Sequence, residues 1–477
     1  MGILTIPFQA EEAEAVFTEL PTGIASELRS FFKTGATLPL RFRLQQLRAL
    51  KSAILAHEAE LTGALQADLG KPPSESSLTE LFVTLRELDH ALRKVRGWMR
   101  PHRVRTDVVL APARSYRLAE PWGVVLIIAP WNYPVQLTLV PLVGAIAAGN
   151  CAIVKPSELA PETSTVLKRI IEEAFSPEYV AIVEGGPREA AALLEQQFDY
   201  IFFTGSSRLG KIVMRAAADH LTPLTLELGG KNPVLVDQTA NIPAAARRIV
   251  WAKYLNAGQT CVSPDYLLVH RSAKERLLSE IALTIRRFYG DKPRGGGDLS
   301  RIVNRTHYDR LQALLSGAHI VIGGRGDDQR LFLEPTVIDD VGSNSPIMTE
   351  EIFGPILPVI AYDDLESAVE LICRLATPLA FYVFSADRRV QHRLIRQVPA
   401  GGACINDCIS QMLTAGLPFG GVGASGMGSY HGYESFRTFS HFKSVMEKPG
   451  AFETTFFKYP PYSGHARWIE LARRLFT

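Results

Sequence analysis

The chain has 477 residues, of which 47% are hydrophobic and 21% are charged, and its formal net charge is +2. This length predicts about three domains, or two large ones. The apolar content excludes a chain that is disordered as a whole, and the balanced charge gives no electrostatic reason to expect a nucleic-acid partner.

The first part of the chain predicts two amphipathic helices followed by a hairpin. The apolar stripe of the first helix runs from Leu44 to Leu65. That of the second runs from Leu78 to Val95 in steps of three and four residues, which is the spacing of one helical face. The stretch 103–120 then alternates apolar and polar residues, and this predicts a short hairpin arm that closes near Ala111-Pro112.

From Trp122 onward the pattern alternates strands with helices. The predicted strands are 123–129, 151–154, 179–183 and 200–203, and the predicted helices are 137–148, 162–174 and 208–218. This alternation indicates a parallel sheet with right-handed crossovers, which binds ligands at the carboxyl ends of its strands. The segment 123–154 carries no charge, but its prolines and polar residues favour a buried α/β core over a membrane span.

A second alternating region, from Pro233 to about Ala400, predicts another α/β domain. Its predicted strands are 234–236, 266–269, 320–322 and 380–384. The polar, glycine-rich segment 323–328 predicts a loop, and the chain after Gly401 is rich in glycine and therefore in loops.

The chain has five cysteines, which are odd in number and widely spaced, so no disulfide framework is expected. Cys404 and Cys408 are close enough for a metal pair, but no second pair or histidine cluster accompanies them, and we predict no metal site. The first residues lack the basic region and apolar core of a signal peptide. We therefore expect a soluble cytoplasmic protein without a transmembrane segment.

Three side chains are candidates for chemistry, each with an ordinary structural alternative. Cys261 follows small and polar residues, which favours a thiol presented at a turn, although a single cysteine is usually a small buried apolar residue. Glu227 ends an apolar strand before two glycines, and is either a general base or a paired strand terminus. Asn132 follows the first buried strand, and either donates to an oxyanion or stabilises its own turn.

Two further patterns favour an anionic ligand, although each is weak alone. Gly205-Ser206 opens a helix after a strand, where glycine permits close approach and the helix N-terminus favours an anion. Lys155 and Glu158 close the second strand, and they either hold ribose hydroxyls or form a surface pair.

The order of these residues, together with the tail of the chain, resembles the aldehyde dehydrogenase superfamily. The ordered set is Asn132, Lys155, Glu158, the Gly205 loop, Glu227, Cys261 and the segment 350–355. The tail motifs are Leu417-Pro-Phe-Gly-Gly-Val-Gly423, Ser425-Gly-Met-Gly428, Tyr430-His-Gly432, Phe439-Ser-His441 and Tyr459-Pro-Pro-Tyr462. These tail motifs resemble the class 3 branch, and the resemblance covers essentially the whole chain.

This resemblance implies oxidation of an aldehyde to a carboxylic acid. It implies that Cys261 attacks the aldehyde carbon, that Asn132 and the Cys261 backbone N–H hold the oxyanion, and that Glu227 activates the water that hydrolyses the thioester. Tyr133 and Phe419 are expected near the substrate entrance, which favours a medium- or long-chain aliphatic aldehyde or an aromatic one.

The cofactor implied by the resemblance is NAD, with NADP possible. Lys155 and Glu158 are expected to hold the adenosine ribose, and Gly205 and Ser206 the pyrophosphate. Glu351 is expected to bind the nicotinamide ribose, with Phe353 beside it. An acid at Glu158 opposes a 2′-phosphate and so favours NAD. Asn406 is expected to position the region around Glu351.

The implied fold class is α/β, with three parts. A Rossmann-like NAD-binding domain is expected over 1–100 and 120–229, and an α/β catalytic domain over 230–410. A small β oligomerisation domain is expected from the arm 101–119 and the tail 411–477, and class 3 resemblance implies a homodimer.

The alternatives to this function are an enzyme that resolves the thioester in another way and a protein that keeps the fold without the reaction. A CoA-acylating or phosphorylating enzyme resolves the thioester without water, but the presence of Glu227 favours water. A structural protein that retains only the fold is expected to lack a catalytic residue. An esterase reaction of the same thiol is a further side activity.

The C-terminal piece Trp468–Thr477 is amphipathic and too short to span a bilayer, which leaves weak interfacial contact open.

Overall fold

The computed structural model describes residues 23–476 apart from 292, 294–296, 343–344 and 451–454. The start of the chain, which bears on the signal-peptide prediction, lies outside the described residues. The α-helices are α1 (Ile24–Lys33), α2 (Leu40–Ala56), α3 (Glu58–Leu69), α4 (Pro73–Ser76), α5 (Phe82–Trp98), α6 (Pro134–Ala148), α7 (Pro161–Ala174), α8 (Pro187–Leu194), α9 (Ser207–Asp219), α10 (Ile242–Tyr254), α11 (Lys274–Tyr289), α12 (Arg305–Leu315), α13 (Pro346–Thr349), α14 (Leu365–Arg374), α15 (Arg388–Gln397), α16 (Tyr433–Thr438) and α17 (Ala466–Phe476).

The strands form two large sheets and two small ones. They are β1 (His102–Val104), β2 (Arg114–Pro121), β3 (Val124–Ile128), β4 (Cys151–Lys155), β5 (Val180–Ile182), β6 (Tyr200–Thr204), β7 (Leu224–Glu227), β8 (Pro233–Val236), β9 (Tyr266–His270), β10 (His319–Ile322), β11 (Gly326–Asp327), β12 (Phe332–Leu333), β13 (Thr336–Asp339), β14 (Ile356–Tyr362), β15 (Ala380–Phe384), β16 (Gly402–Ile405), β17 (Gly426–Met427) and β18 (Ser440–Glu447).

The first large sheet has the strand order β17-β7-β6-β3-β4-β5. Strands β3 to β7 are parallel, and only β17 runs antiparallel, beside β7. The chain order reverses between β3 and β6, as in a doubly wound sheet, and such a switch point opens a crevice at the carboxyl ends of the strands. The predicted Rossmann-like sheet is confirmed.

Helix α6 explains the long uncharged segment of the sequence. All of its side chains are buried, and it connects β3 to β4, whose own residues are almost entirely buried. A segment covered on every side needs no polar face, so the interpretation as an α/β core is confirmed. Among the described residues, no helix combines the length and the hydropathy needed to cross a bilayer.

The second large sheet has the order β10-β13-β14-β9-β8-β15-β16 and is parallel except for β10. The four strands predicted in this region are present, but β13, β14 and β16 were not predicted. The segment 323–328 is not entirely a loop, because Gly326–Asp327 pairs with Phe332–Leu333 as a short hairpin. The prediction of a loop-rich chain after Gly401 was likewise incomplete, since β16 lies there, whereas β18 lies in the tail for which a small β domain was expected.

The predicted hairpin arm is present and is extended by a strand from the far end of the chain. Strand β1 pairs with β2 through His102–Arg117 to Val104–Ser115, and β18 pairs along the whole of β2. The arm is therefore a three-stranded sheet that joins two segments distant in sequence.

The helical prediction for the N-terminal region was wrong in three details. A helix that was not predicted, α1, precedes the others. The stripe from Leu44 to Leu65 belongs to two helices, because His57 leaves helical geometry with φ −103° and ψ 16° and separates α2 from α3. Leu78 is 53% exposed, because it lies in a π-helical turn whose wider winding shifts the phase of the apolar stripe.

Candidate active site

The predicted site residues of the first sheet lie along one edge. Lys155 and Glu227 are the last residues of β4 and β7, and Asn132 and Gly205 follow the ends of β3 and β6. Parallel neighbouring strands end on the same side of a sheet, so these four residues surround the crevice at the switch point.

Cys261 enters this crevice from the loop before β9. Its carbonyl oxygen accepts a 2.7 Å hydrogen bond from the Asn232 side chain, which fixes the loop. Burial raises the pKa of the Cys261 thiol to about 12, and the nearby carboxyl groups of Glu351 and Glu227 raise it further, while the backbone N–H groups of Cys261 and Val262 oppose the shift. Both glutamates therefore lie close enough to Cys261 to act on it.

The side chain of Asn132 reaches across to the same loop. Asn132 is 3% exposed, and its Nδ2 donates to the carbonyl oxygen of Gln259 at 3.1 Å. A side-chain amide has two N–H donors, so the second is available to a substrate oxygen near Cys261. The fold thus joins the candidate oxyanion donor to the nucleophile loop.

Glu227 is held by its backbone and not by its side chain. It pairs with Thr204 of β6 on one side and with Gly426 of β17 on the other. Within the described part of the chain, neither carboxyl oxygen has a hydrogen-bond partner, and burial raises the pKa of Glu227 well above its usual range. An unpartnered carboxyl of this kind holds its proton more tightly than a solvated one, and is a stronger base once it ionises.

Glu351 approaches the site from the second sheet across two glycines. Its Oε1 accepts from Gly230 N at 3.2 Å, and a Cβ at Gly229 would collide with the carboxyl group. Burial raises the pKa of Glu351 to about 8, with a contribution from Asp265, and the Gly230 N–H opposes the shift. The ring of Phe353 lies perpendicular to that of Trp131, at 5.5 Å, which places this segment beside Asn132.

A buried ion pair anchors the segment that carries Glu351. Lys231 Nζ pairs with Asp265 and also donates to Ile347 O at 2.6 Å. The other oxygen of Asp265 accepts from Ile352 N at 2.9 Å. These residues were not predicted as part of the site, although Lys231 directly follows the Gly229-Gly230 pair in the sequence.

The candidate adenosine subsite lies at the ends of β4 and β5. Lys155 Nζ is 3.3 Å from Glu158 and donates to Pro156 O at 2.8 Å, and burial lowers the pKa of Lys155. Beside them is a cleft of about 200 Å³ lined by Glu158 and by residues that reach to Gly185. Glu158 lines this cleft with its buried partner Lys155 beside it, and such a pair suits ribose hydroxyls.

The candidate pyrophosphate subsite is the start of α9. Ser206 is the N-cap, and its hydroxyl oxygen accepts from Leu209 N. Gly205 N donates to Glu227 O at 2.9 Å, so this turn is tied to the strand that ends in the candidate base. A Cβ at Gly205 would meet the ring of Phe203 at 2.6 Å, which explains the need for glycine there.

The role expected for Asn406 was wrong. Its side chain exchanges 3.0 Å hydrogen bonds with the backbone of Ser385, at the end of β15, and its carbonyl oxygen accepts from Arg248. Asn406 has φ 55°, and these bonds hold that left-handed turn and not the segment around Glu351.

The aromatic residues expected near the substrate entrance are both buried. Tyr133 is 6% exposed and its hydroxyl lies 2.7 Å from the Thr260 hydroxyl, one residue from the candidate nucleophile. Phe419 is 8% exposed and packs edge-on against Tyr430 at 5.7 Å. The carboxyl of Glu227 and the thiol of Cys261 both act on the pKa of Tyr430, which burial raises, so this aromatic cluster borders the site.

A doubly wound sheet whose switch point faces a cysteine, a buried base and an amide donor is typical of a nicotinamide-dependent oxidoreductase that acts through a thiol. The aldehyde dehydrogenase family model matches residues 24–445. The chain belongs to the aldehyde dehydrogenase family, and it is an enzyme that oxidises aldehydes with NAD(P).

Relatives of known name match over most of their length. The chain is 47% identical to 4,4'-diaponeurosporen-aldehyde dehydrogenase of Staphylococcus aureus over 93% of this chain and 96% of the relative. It is also 47% identical to human aldehyde dehydrogenase family 3 member B1, over 91% of this chain and 93% of the relative. The predicted class 3 resemblance is confirmed.

Solved structures show the same architecture. A substrate-bound aldehyde dehydrogenase of Staphylococcus aureus superposes with a TM-score of 0.93 at 46% identity, over 95% of this chain and 99% of that chain. An indole-3-acetaldehyde dehydrogenase in complex with NAD⁺ superposes with a TM-score of 0.82 at 27% identity, over 89% of this chain and 88% of that chain. The predicted fold class is therefore confirmed.

Proposed function

We propose that Cys261 is the nucleophile and that Asn132 and Glu227 complete the catalytic group. Three groups converge on Cys261, and this observation supports the proposal most directly. The Asn132 amide bonds to Gln259 in the nucleophile loop, and the carboxyl groups of Glu227 and Glu351 both act on the thiol. The remaining roles follow from the position of each group around that sulfur.

In the proposed reaction, Cys261 Sγ attacks the aldehyde carbon and forms a thiohemiacetal. The Asn132 amide and the Cys261 backbone N–H donate to the oxygen on which negative charge develops. NAD(P), when bound, accepts the hydride that leaves this carbon. Glu227 then takes a proton from the water that attacks the thioester, and the acid and the free thiol are released.

We assign the cofactor subsites by the fit of the residues present. Lys155 and Glu158 would hold the adenosine ribose beside the cleft, and Gly205 and Ser206 would hold the pyrophosphate at the start of α9. Glu351 would bind the nicotinamide ribose hydroxyls, with Phe353 beside them. The acid at Glu158 supports a preference for NAD over NADP.

We propose an apolar aldehyde, medium- or long-chain aliphatic or aromatic, as the substrate class. The buried aromatic side chains of Tyr133, Phe419 and Tyr430 beside the site support this. The name of the Staphylococcus aureus relative, a diaponeurosporen-aldehyde dehydrogenase, points the same way.

We propose a homodimer that works in the cytoplasm, and a division of the chain into the three domains predicted above. The three-stranded arm supports dimerisation, because its outer strand β1 is exposed along its length and offers an edge to a second subunit. The five cysteines are all free thiols, which fits a reducing compartment. Sedimentation equilibrium of the purified protein would test the dimer.

The test of the function is NADH production across aliphatic and aromatic aldehydes, with NAD and with NADP. We expect turnover that needs neither CoA nor phosphate, gives the free acid, and falls by about 10⁴-fold or more in Cys261→Ser. An acyl-CoA or acyl phosphate, formed only when CoA or phosphate is supplied, would instead support an acylating or phosphorylating enzyme. Undiminished turnover in Cys261→Ser would overturn the assignment of the nucleophile.

A further inference from the structure

A buried ion pair lies directly behind the candidate oxyanion donor. Lys71 and Glu80 are both fully buried, with Nζ 2.6 Å from Oε1, and Lys71 also donates to the carbonyl oxygen of Asn132 at 3.0 Å. The second oxygen of Glu80 accepts from the backbone N–H groups of Val135 and Gln136 at 3.1 and 2.9 Å. The backbone from Asn132 to Gln136 is therefore held by Lys71 and Glu80 of the N-terminal region.

The same carbonyl oxygen is also bound by the turn that precedes the nucleophile. In this turn Asn256, Ala257 and Gly258 all have left-handed geometry, with φ of 51°, 53° and 75°. Asn256 Nδ2 donates to Asn132 O at 2.8 Å and to Gln259 O at 3.2 Å. Left-handed geometry is strained for residues other than glycine, so such a turn persists only when its surroundings hold it.

Glu75 supplies that support from the N-terminal helices. Its Oε1 accepts a 2.9 Å hydrogen bond from the backbone N–H of Asn256, the first residue of the strained turn. Burial raises the pKa of Glu75 to about 7 and Glu80 adds to the shift, while Lys71 and the Asn256 N–H oppose it. Both the protonated and the ionised carboxyl carry an acceptor oxygen, so the bond to Asn256 does not depend on the charge.

We propose that Glu75 is a positioning residue for aldehyde oxidation. It holds the Asn256–Gly258 turn, and through Asn256 it fixes the Asn132 amide relative to Cys261. The proposal rests on the proposed roles of Asn132 and Cys261. Loss of the acceptor leaves the Asn256 N–H unpaired in a turn that is already strained, and the turn is then expected to relax and shift both groups.

The experiment compares Glu75→Leu, which removes the acceptor, with Glu75→Gln, which retains one. Asp199→Leu is the control, because Asp199 also accepts a backbone N–H, that of Val124 at 2.8 Å, but at the opposite end of β3, and its ion pair with Arg29 makes its loss a stringent test of stability alone. For each variant we would measure kcat with saturating aldehyde and NAD, the NAD dissociation constant from protein fluorescence, and the thermal midpoint.

We expect Glu75→Leu to lose kcat by about 10-fold to about 100-fold, the size of effect that follows from a small misplacement of reacting groups. Its NAD dissociation constant should change less than about twofold, because the hydrogen bonds of Lys155 in the adenosine subsite go to Pro156 and Glu158 and not to the turn. Glu75→Gln should recover kcat to within about threefold of the wild type. Asp199→Leu should keep its kcat even if its thermal midpoint falls further than that of Glu75→Leu.

Two outcomes would overturn the proposal. One is a Glu75→Leu enzyme whose kcat equals that of Asp199→Leu, which would reduce Glu75 to a contribution to stability. The other is a Glu75→Gln enzyme as slow as Glu75→Leu, because the acceptor would then not be what matters. Failure of the proposed function is separate, since it would appear as an active Cys261→Ser enzyme in the same assay.

Discussion

The two glutamates that raise the pKa of the Cys261 thiol are held in opposite ways. Glu227 ends a regular strand that is paired on both sides, and its carboxyl has no hydrogen-bond partner in the described structure. Glu351 lies between regular elements, and its segment is fixed by Lys231, Asp265 and the Gly230 N–H.

This difference fits the role proposed for each side chain. A group that must take up and release a proton is placed by its backbone, which leaves the carboxyl free to change its charge. A group that must present its oxygens to a ligand is oriented by bonds made to the carboxyl itself and to its neighbours. The same Glu→Gln substitution at the two positions should therefore have different consequences.

Among the groups around Cys261, the largest expected effect is that of Glu227→Gln. An amide cannot accept the proton of water, so we expect kcat to fall by between about 10² and about 10⁴. Rapid mixing should show a burst of NADH close to one equivalent per site, because the thioester still forms but is hydrolysed slowly. A loss of turnover without a burst would mean that Glu227 acts before the thioester.

Asn132→Ala is expected to cost about 10² to about 10³ in kcat, because one donor to the oxyanion is lost. The burst should disappear together with steady-state turnover, in contrast to Glu227→Gln. The NAD dissociation constant serves as the control and should stay within about twofold of the wild-type value. Retention of the burst would contradict the assignment of Asn132 to the first step.

Glu351→Gln should act on the cofactor and leave the hydrolysis intact. At pH 9, where Glu351 with its pKa of about 8 is ionised, replacing the charged acceptor by a neutral one at the ribose hydroxyls is expected to raise the KM for NAD by about 10-fold, since hydrogen bonds to charged groups are the stronger ones. Initial rates against NAD concentration at saturating aldehyde would measure this. An unchanged KM for NAD would remove Glu351 from the cofactor site.

The smallest expected effect is on the pH dependence of Cys261 alkylation. In the cofactor-free enzyme the pKa of Cys261 is raised to about 12, so reaction with iodoacetamide should rise about 10-fold per pH unit over the neutral range. Above pH 8 the ionised Glu351, with its pKa of about 8, opposes formation of the thiolate. Glu351→Gln should therefore react a few-fold faster than the wild type at pH 9 and equally fast at pH 6.5.

Bound NAD carries a positive nicotinium ring and should accelerate this alkylation at pH 7. If NAD has no effect on the rate, the hypothesis that cofactor binding activates the thiol is wrong. If the alkylation rate of Glu351→Gln has the same pH dependence as that of the wild type, the Glu351 carboxyl does not affect the pKa of Cys261 in solution.

Much of the first sheet could be predicted because each strand is a run of apolar residues buried on both faces. The run 123–129 is such a case, and the structure places β3 within one or two residues of it. Strand β13, Thr336–Asp339, was not predicted, because its β-branched run of three residues favours a strand but is too short to establish one without its pairing to β10 and β14. Tertiary pairing of this kind has no local signal.

The residues of the site also fall into two groups, those that the sequence indicates and those that only the fold reveals. Cys261, Glu227 and Asn132 stand in short motifs with small or apolar neighbours, and these made them candidates from the sequence alone. Lys71 and Lys231 could not be identified, because a lysine in the sequence indicates a solvated surface residue. Their acidic partners make them buried, and only the folded chain shows that they lie beneath the site.

The pairing of β17 with β7 has a consequence for how the enzyme is made. Gly426 lies opposite Glu227, and Leu228 N donates to Ser425 O at 3.2 Å, so the edge of the sheet beside the candidate base is closed by a segment translated long after it. A growing polypeptide that already contains Cys261 and Asn132 still has that edge open to water. During synthesis the Cys261 thiol therefore lies in an incomplete pocket. The active site is complete only when the glycine-rich segment that contains β17 pairs with β7.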